Sequence, residues 1–337
     1  MNNTSVNNTS VNFTSFTRII LKNLQEMLGE NYSVFSQNVT KNNGIELTGV
    51  IAKRKGCNAS PAIYINEFYH DNMAEPEIKQ IVDMLYDDFQ EAEFEDDVDL
   101  SEFIEFETAK KKIVFKLVHG EQNKELLKLV PHRLFYNLAM VFYYTVQEAP
   151  FYGKAAILVY NTHMQRWGTN EEELYQIAME NAPALFPGVI DSMQDVMRGI
   201  LEEGLKEEIL SAEQGKEKSA ISGENREGDL AGQILEDVKE MKMPMYVLTN
   251  RQKLYGAACM LYPGVLKAFG EEKGRDFYVL PSSVHEVILI PAEPGTDETL
   301  LREIVTEINR TQVAEDEVLA DSVYYYSRSR DQLIWLS

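Results

Sequence analysis

One short segment holds the residue types of a nucleophilic hydrolase: Ser283, His285 and Glu286 lie within four positions. Such an enzyme uses a serine as nucleophile, a histidine as base and a carboxylate that orients the histidine. On a strand, Ser283 and His285 would share one face and Glu286 would point to the other. The sequence also lacks the Gly-x-Ser-x-Gly elbow that exposes a nucleophilic serine. The three residues are catalytic candidates, but a strand entry whose polar groups bond the main chain is the favoured interpretation.

A second set of candidates lies between predicted strands and the helices that follow them. It comprises His70 with Asp71, His163 with Arg166, and Glu293. In parallel α/β sheets such loops gather at the carboxyl ends of the strands, where ligands bind. Nothing in the sequence makes these strands parallel neighbours, so three separate surface loops are the favoured alternative. Trp167 and Trp335 are candidate interface anchors, because tryptophan is enriched in binding hot spots.

Metal and cofactor sites have no support in the sequence. The five histidines are scattered, and the two cysteines, Cys57 and Cys259, are far apart in the chain. No His-Glu-x-x-His motif, phosphate-binding loop or dinucleotide fingerprint is present. We therefore expect no metal and no cofactor. Two isolated cysteines also fit a protein of the reducing cytoplasm.

The net charge of −22 bears on the class of partner. A general nucleic-acid binder needs basic groups to neutralise phosphates, and an anionic membrane attracts basic surfaces, so neither partner is expected. Eight acidic residues between Asp87 and Asp99 follow one another without a basic residue. This run indicates a solvated helix end and linker. A docking surface for a basic partner and a mimic of DNA are the alternatives.

The elements that would position these residues form three strand–loop–helix units. The strands are Ile63–Ile65, Ala155–Tyr160 and Val287–Ile290, and helices follow from about Glu75, Asn170 and Asp297. Apolar residues at i, i+3, i+4 and i+7 give the first and third of these helices one buried face. The units predict a mixed α/β protein of the α+β class, built around mixed or antiparallel sheets.

Other segments add to this prediction. A helix that ends at Gly29 and a three-stranded meander precede the first unit. The aromatic run Arg133–Val146 predicts one long strand, Gly256–Met260 a short strand, and Val189–Leu210 a helix.

The composition suggests two lobes. Residues 1–14, which repeat Asn-Asn-Thr-Ser-Val, predict a disordered tail without the features of a signal peptide. Residues 15–210 would form an N-terminal α/β lobe and residues 230–337 a C-terminal one. Between them, residues 211–229 are rich in Gly, Ser, Glu and Lys, which is typical of a flexible linker. The alternative is a loop inserted into a single domain.

Several segments, taken in order, resemble a known family. They are Tyr136–Phe142, Pro244–Asn250, Gly256–Ala258 and Leu280–Val287. Together they resemble a domain-of-unknown-function family of anaerobic Gram-positive gut bacteria, from about residue 15 to the C-terminus. The resemblance implies a bacterial, cytoplasmic protein. It assigns no catalytic residue.

The sequence favours a non-enzymatic cytoplasmic protein that binds a protein or peptide partner. Acidic segments and aromatic-rich strands support this hypothesis, and reactive residue types are not clustered as in known catalytic motifs. The alternative is a hydrolase that uses the loop around Ser283 and His285. Small-ligand sensing and DNA mimicry remain open, and the oligomeric state is not predicted.

Overall fold

The described part of the chain forms two compact units. The computed structural model describes residues 11–58, 60–91, 100–146, 155–200, 202 and 244–336. Unit 1 contains the described residues up to Ala109 and those of Thr145–Ile157, and unit 2 contains those of Lys110–Tyr144 and from Leu158 onward. Within these ranges no helix is long and apolar enough to cross a membrane.

The predicted linker at residues 211–229 lies outside the described residues, as do residues 1–10 of the predicted tail and residues 92–99 of the acidic run. A division of the chain at the linker therefore stays a prediction.

Unit 1 contains a three-stranded antiparallel sheet and two long helices. The sheet has the order β1 (Tyr32–Thr40), β2 (Glu46–Arg54), β3 (Ala62–Tyr64). The helices are α1 (Phe13–Leu28) and α2 (Glu75–Glu91), and two short helices follow, α3 (Ser101–Ile104) and α4 (Phe106–Ala109).

The predicted amphipathic helices of unit 1 are confirmed. The Asn12 side chain caps α1 by accepting a hydrogen bond from the Ser15 N–H (2.9 Å), and the helix ends at Gly29, whose φ is 76°. The buried stripes of the two helices meet in one core with Val50 and Ala52 of β2. The apolar spacing and Gly29 thus predicted these helices, and the structure starts α1 at Phe13.

The smaller sheet of unit 2 is built around a hairpin. Three of its four strands are β4 (Ile113–His119), β5 (His132–Phe135) and β6 (Leu138–Val146), in the antiparallel order β4-β6-β5. The prediction of one strand over Arg133–Val146 is wrong, because the chain reverses at Tyr136 and Asn137. Helix α5 (Lys124–Leu127) lies between β4 and β5, and β7 (Ala155–Leu158) follows β6 in the chain.

The larger sheet of unit 2 has six antiparallel strands in the order β13-β12-β10-β11-β9-β8. They are β8 (Gly188–Ser192), β9 (Tyr246–Asn250), β10 (Phe277–Leu280), β11 (Val287–Pro291), β12 (Val323–Ser327) and β13 (Gln332–Leu336). Strands β8 and β9 are neighbours in this sheet although some fifty residues separate them in the chain.

Unit 2 also contains the helices α6 (Asn161–Trp167), α7 (Glu171–Leu185), α8 (Val265–Lys273) and α9 (Glu298–Gln312). Leu301 and Val305 of α9 pack in a core with Leu280, Ile288 and Ile290 of the six-stranded sheet. The helix predicted from Asp297 is confirmed, and the Asp297 side chain caps it by accepting from the Thr299 N–H (2.9 Å). The predicted α+β class with antiparallel sheets is therefore confirmed.

Three local predictions in unit 2 are wrong. Gly256–Leu261 is a 3-10 helix rather than a strand. The segment predicted as a helix from Val189 begins as β8, and its described helical residues are 193–200 and 202. The predicted loop Asn161–Gly168 is helix α6, which Gly168 ends with a φ of 68°.

Gly256 explains the tight connection after β9. A Cβ at this position would meet the Thr249 hydroxyl, and it would lie 2.5 Å from the His285 carbonyl oxygen and 2.7 Å from the Asn250 nitrogen. Two of these three atoms belong to the main chain, so a side chain cannot be accommodated by a rotamer change.

We therefore predict that Gly256→Ala lowers the free energy of unfolding by about 3 kcal/mol, at the upper end of overpacking costs. Chemical denaturation measures this. The matched control is Gly199→Ala in the helical stretch 193–200, where a Cβ meets nothing within 4 Å, and that change should be neutral or stabilising by ~0.5–1 kcal/mol. Equal effects of the two substitutions would contradict the packing described for Gly256.

Candidate functional site

Two loops of unit 2 bring the predicted catalytic segment into contact with Tyr255. Residues 251–255 link β9 to the 3-10 helix, and residues 281–286 link β10 to β11. The Thr249 hydroxyl donates to the His285 carbonyl oxygen (2.8 Å), and the Tyr255 N–H donates to His285 Nδ1 (3.2 Å). The main chain and the ring of His285 are therefore both fixed by the segment that follows β9.

The two ring nitrogens of His285 are both engaged. Because Nδ1 accepts the Tyr255 N–H, the neutral imidazole carries its proton on Nε2. Nε2 lies 3.3 Å from Oε1 of Glu317, and the hydrogen bond from His285 lowers the pKa of the Glu317 carboxyl. The ring also stacks on Tyr255, with centroids 5.6 Å apart and an interplanar angle of 15°. These contacts orient the imidazole firmly.

Ser283 bonds the main chain instead of the imidazole. Its side chain is buried, and its Oγ accepts the His285 N–H (3.1 Å) two residues further on. This is the local hydroxyl-to-backbone bond that serine commonly makes in turns. The geometry matches the interpretation that this segment is a strand entry whose polar groups bond the main chain. A catalytic role for Ser283, His285 and Glu286 stays a prediction.

Glu286 places a carboxylate in a poorly hydrated position. Burial raises the pKa of the Glu286 carboxyl, and electrostatic interactions with His285 and Lys253 oppose that rise. The ionised form is therefore disfavoured relative to water. Such a group can serve as a proton donor, and while it is ionised it reduces the stability of the fold.

Tyr255 is held in a strained conformation among cationic and aromatic groups. Its φ is 52°, and Lys253 two residues before it has the same value. The Lys116 Nζ lies 4.3 Å from the Tyr255 ring centroid, and the Tyr143 ring meets it edge-on at 5.3 Å. Burial raises the pKa of the Tyr143 hydroxyl, which keeps it protonated. The cluster is a rigid cation–aromatic arrangement.

The second set of predicted residues is divided between the units. His70 and Asp71 are in unit 1, whereas His163, Arg166, Trp167 and Glu293 are in unit 2. The paired strands of the described sheets are antiparallel, so the argument that loops gather at the carboxyl ends of parallel strands does not apply here.

His70 stabilises the start of α2. Its Nε2 lies 2.5 Å from Oε1 of Glu77, and its Nδ1 lies 3.1 Å from the Asp71 carbonyl oxygen. The bond to the Asp71 carbonyl, followed by that to Glu77, raises the pKa of His70.

The unit 2 members of the set also have structural contacts. His163, Arg166 and Trp167 share helix α6, and His163 Nδ1 accepts the Tyr160 N–H (3.2 Å) at the start of that helix. Burial lowers the pKa of His163. Glu293 forms an ion pair with Arg275.

Metal binding finds no support in the part of the chain that the structure describes. No three His, Cys, Asp or Glu side chains there are arranged so that they could hold a metal ion.

Three exposed aromatic or apolar side chains of unit 2 include only one, Trp335, that the sequence predicted as a candidate. Leu134, Tyr136 and Trp335 are 65%, 46% and 36% exposed, and we call these three residues the aromatic surface. The rings of Tyr136 and Trp335 are 6.1 Å apart, and the Tyr136 hydroxyl donates to the Leu333 carbonyl oxygen (3.2 Å). Trp335 was predicted as an anchor from its residue type. In the sequence, the only indication that Tyr136 lies in a turn was the next residue, Asn137, a turn-forming residue within the aromatic run.

Tyr136 occupies a turn position that normally belongs to glycine. Phe135 pairs with Leu138, so Tyr136 and Asn137 form a two-residue hairpin loop, and the φ of Tyr136 is 53°. In such loops a positive φ at the first position is characteristic of glycine. A bulky aromatic residue there is unusual.

Asn137 fixes this turn against strand β12 and the loop before it. Its Nδ2 donates to the Ser322 hydroxyl (2.8 Å), and its Oδ1 accepts a hydrogen bond from the Tyr324 hydroxyl. Its carbonyl oxygen accepts the Gly120 N–H (2.8 Å). The backbone conformation of Tyr136 is therefore determined by contacts on both sides of the turn.

A cavity of about 250 Å³ lies beside the aromatic surface and includes Leu134 in its wall. It is lined by Arg133, Leu134, Phe135, Met140, Tyr175, Met179 and Leu261. The Arg133 guanidinium lies 3.8 Å from the Tyr175 ring centroid and pairs with Glu171 (2.7 Å) and Glu172. The walls are thus mostly apolar, with one charged group held in place at the edge.

The chain belongs to a family of unknown function (DUF5688), which matches residues 13–328. The resemblance to a domain of unknown function is thereby confirmed, while an origin in anaerobic gut bacteria stays a prediction. No curated protein and no solved structure matches the chain. Three of the family-motif segments of unit 2 meet in the structure, because Thr249, Gly256 and His285 contact one another.

We predict that Glu286→Gln stabilises the protein at pH 7. The pKa of this carboxyl is raised in the folded state, so ionised Glu286 reduces the free energy of unfolding at neutral pH. As the pH falls through the folded pKa towards the unfolded value of about 4.3, Glu286 becomes protonated and that cost disappears. The stability advantage of Glu286→Gln should then disappear as well. Chemical denaturation between pH 4 and pH 7 measures the difference.

The control for this experiment is Glu303→Gln, on the exposed side of α9, which should change stability by less than ~0.5 kcal/mol. A loss of stability in Glu286→Gln at pH 7 would contradict the account, because it would mean that the ionised carboxylate makes a favourable contact.

Proposed function

We propose that this protein acts by binding a protein or peptide partner through the aromatic surface of unit 2. The observation that carries the proposal is Tyr136, an aromatic residue that is 46% exposed in a left-handed turn position. The Trp335 ring, 6.1 Å from that of Tyr136, extends the exposed apolar area around it, and Leu134 is exposed two residues earlier in the same hairpin. Exposed aromatic and aliphatic residues next to a preformed cavity are typical of binding hot spots.

The strain at Tyr136 supports a functional role for its side chain. A non-glycine residue in the left-handed region costs roughly 1–2 kcal/mol, and glycine would avoid most of that cost. Strained conformations of this kind are most often found where a site needs a particular geometry. Here the turn directs a ring outward, beside Trp335.

The volume of the cavity favours an anchoring side chain over a cofactor. At about 250 Å³ it is smaller than the roughly 300–1,000 Å³ of typical small-molecule sites. Its apolar walls suit one large aliphatic or aromatic side chain of a partner. Leu134 belongs both to the cavity and to the aromatic surface, so one partner segment can contact the two together.

Charge indicates which peptides should bind. The chain carries a net charge of −22, and Glu171 and Glu172 lie at the cavity edge, where they share Arg133. A partner with basic residues around its apolar anchor would be attracted to this unit. Its affinity should then fall as the salt concentration rises.

A hydrolase is the second hypothesis, and it has less support. Ser283 bonds the main chain, and the two nitrogens of His285 bind Tyr255 and Glu317. The double substitution Ser283→Ala with His285→Ala separates the hypotheses. A hydrolase that depends on these residues should lose its activity, whereas a folded binding protein should retain its partner.

A cytoplasmic location is part of the same proposal. Both cysteines are free thiols, and burial raises the pKa of Cys259 to about 12, which keeps it protonated. Unpaired thiols of this kind are common in reducing compartments.

We predict that Tyr136→Gly removes partner binding while the fold is retained. Glycine relieves the strain of the left-handed turn but loses the ring contacts, so the free energy of unfolding should change by less than about 1.5 kcal/mol. A photo-reactive phenylalanine analogue at position 136 should cross-link to a discrete partner in a lysate of the source cells. Wild-type protein in excess should suppress this product, and the Tyr136→Gly protein should not.

Leu300 provides the matched control, because its side chain is also 46% exposed and lies in unit 2. The same analogue at position 300 should give no such product, and Leu300→Gly protein should compete as well as wild type. Equal cross-linking from both positions, or equal competition by both variants, would contradict the proposal.

A further inference from the structure

We infer that a second copy of this chain binds along strand β1 of unit 1, so that two β1 strands pair antiparallel about a two-fold axis at Gln37. This inference is independent of the function proposed for unit 2. It depends on the edge position of β1, on its main-chain groups and on its composition.

Strand β1 is an outer strand of its sheet, and alternate residues direct their main-chain groups away from it. It pairs with β2 without interruption from Tyr32↔Arg54 to Thr40↔Glu46. The Asn31 carbonyl oxygen accepts the Lys55 N–H (2.8 Å) across this pair, so odd-numbered residues bond towards β2. In an antiparallel ladder the even-numbered residues then present their N–H and C=O groups outward.

The chain itself covers the first part of this edge. The Gln25 side chain of α1 accepts the Val34 N–H at Oε1 (3.0 Å) and donates from Nε2 to the Tyr32 carbonyl oxygen (3.1 Å). The amide therefore acts as a short substitute for a neighbouring strand. No described residue does the same for the outward groups of Ser36 and Asn38. Residues 35–38 are all exposed.

The exposed edge lacks the usual protection against strand pairing. Natural edge strands are commonly blocked by charged residues, proline, a bulge or a short length. Strand β1 has nine residues, Tyr-Ser-Val-Phe-Ser-Gln-Asn-Val-Thr, with no charged residue and no proline. In a chain whose charged fraction is 26% and whose net charge is −22, such a segment is where two copies can approach with the least repulsion.

The sequence of β1 is complementary to itself. A two-fold axis at Gln37 places Ser36 opposite Asn38 of the second copy, and each such pair exchanges two main-chain hydrogen bonds. The same axis places Phe35, which is 40% exposed, opposite Val39 of the second copy. Phe35 and Val39 lie on the sheet face opposite the core residue Val34. The two Phe35–Val39 pairs that flank the central Gln37–Gln37 pair on that face are therefore apolar.

The paired segment is short, which sets the strength of the association. A contact of about five residues per strand buries less surface than the roughly 1,200 Å² found in stable complexes. The dimer should therefore be weak. We expect half-maximal dimerisation at roughly 10–100 µM, measured by sedimentation velocity on the full chain over a concentration series.

Gln37 gives a direct test of the axis, since each copy places it opposite the same residue of the other. Gln37→Lys and Gln37→Glu bring like charges together at a pair whose Cα atoms are about 4.5 Å apart. Each variant alone should dimerise at least about tenfold more weakly than wild type. An equal mixture of the two should recover wild-type or stronger association. Because residue 37 is exposed, the fold should be unaffected, which circular dichroism checks.

The control variants are Gln165→Lys and Gln165→Glu, at an exposed position of α6. They change the net charge by the same amount at a site away from β1, so they should leave association unchanged. The inference is overturned if the wild-type chain stays monomeric over the whole series. It is also overturned if the mixed Gln37 variants fail to associate, or if the Gln165 variants weaken association as much as the Gln37 variants.

Discussion

The organisation of the aromatic surface depends on the side chain of Asn137. Its amide joins the β5–β6 turn to Ser322 and Tyr324 in unit 2, while its carbonyl oxygen binds the Gly120 N–H. A typical intramolecular hydrogen bond contributes only about 0.5–1.5 kcal/mol, but three at one residue are enough to hold a strained turn. A Cβ on Gly120 would lie 3.0 Å from the Asn137 carbonyl oxygen, so the turn is closely packed from both sides.

This constraint gives unit 2 a binding surface that is already ordered before a partner arrives. Phe135 stacks on Tyr324 with an interplanar angle of 16°, and Tyr136 contacts Trp335. Arg133, in strand β5 of the same hairpin, is held by the Tyr175 ring and the Glu171 carboxylate of α7. Ordered side chains lose little conformational entropy on binding, which raises the affinity obtained from a small contact area. This gain in affinity from an ordered surface also explains why the strained conformation of Tyr136 can be retained.

The sequence predicted the elements whose signals are local. Helices α1 and α2 have apolar stripes, and Gly29 after α1 and Asp297 before α9 mark one end of each of those helices, so the spacing and these two ends were readable. The β5–β6 hairpin was missed because its loop has tyrosine where glycine is usual, so an aromatic run looked like one strand. The 3-10 helix at Gly256 was missed for a different reason, since the need for glycine there comes from the close approach of Thr249 and His285.

The candidate sites were less predictable, because their contacts join distant parts of the chain. Tyr255 meets His285 thirty residues later, and Tyr136 meets Trp335 almost two hundred residues later. Residue type alone could suggest His285 and Trp335, but not their neighbours.

The most direct measurement for the central claim is selection of a random peptide library on the immobilised protein, followed by binding assays with wild type and Tyr136→Ser. The account predicts enriched peptides that share one large apolar residue with basic neighbours, and that bind wild type at least about tenfold more tightly than the variant. Peptides that bind both proteins equally, or a selection that enriches no sequence, would contradict it.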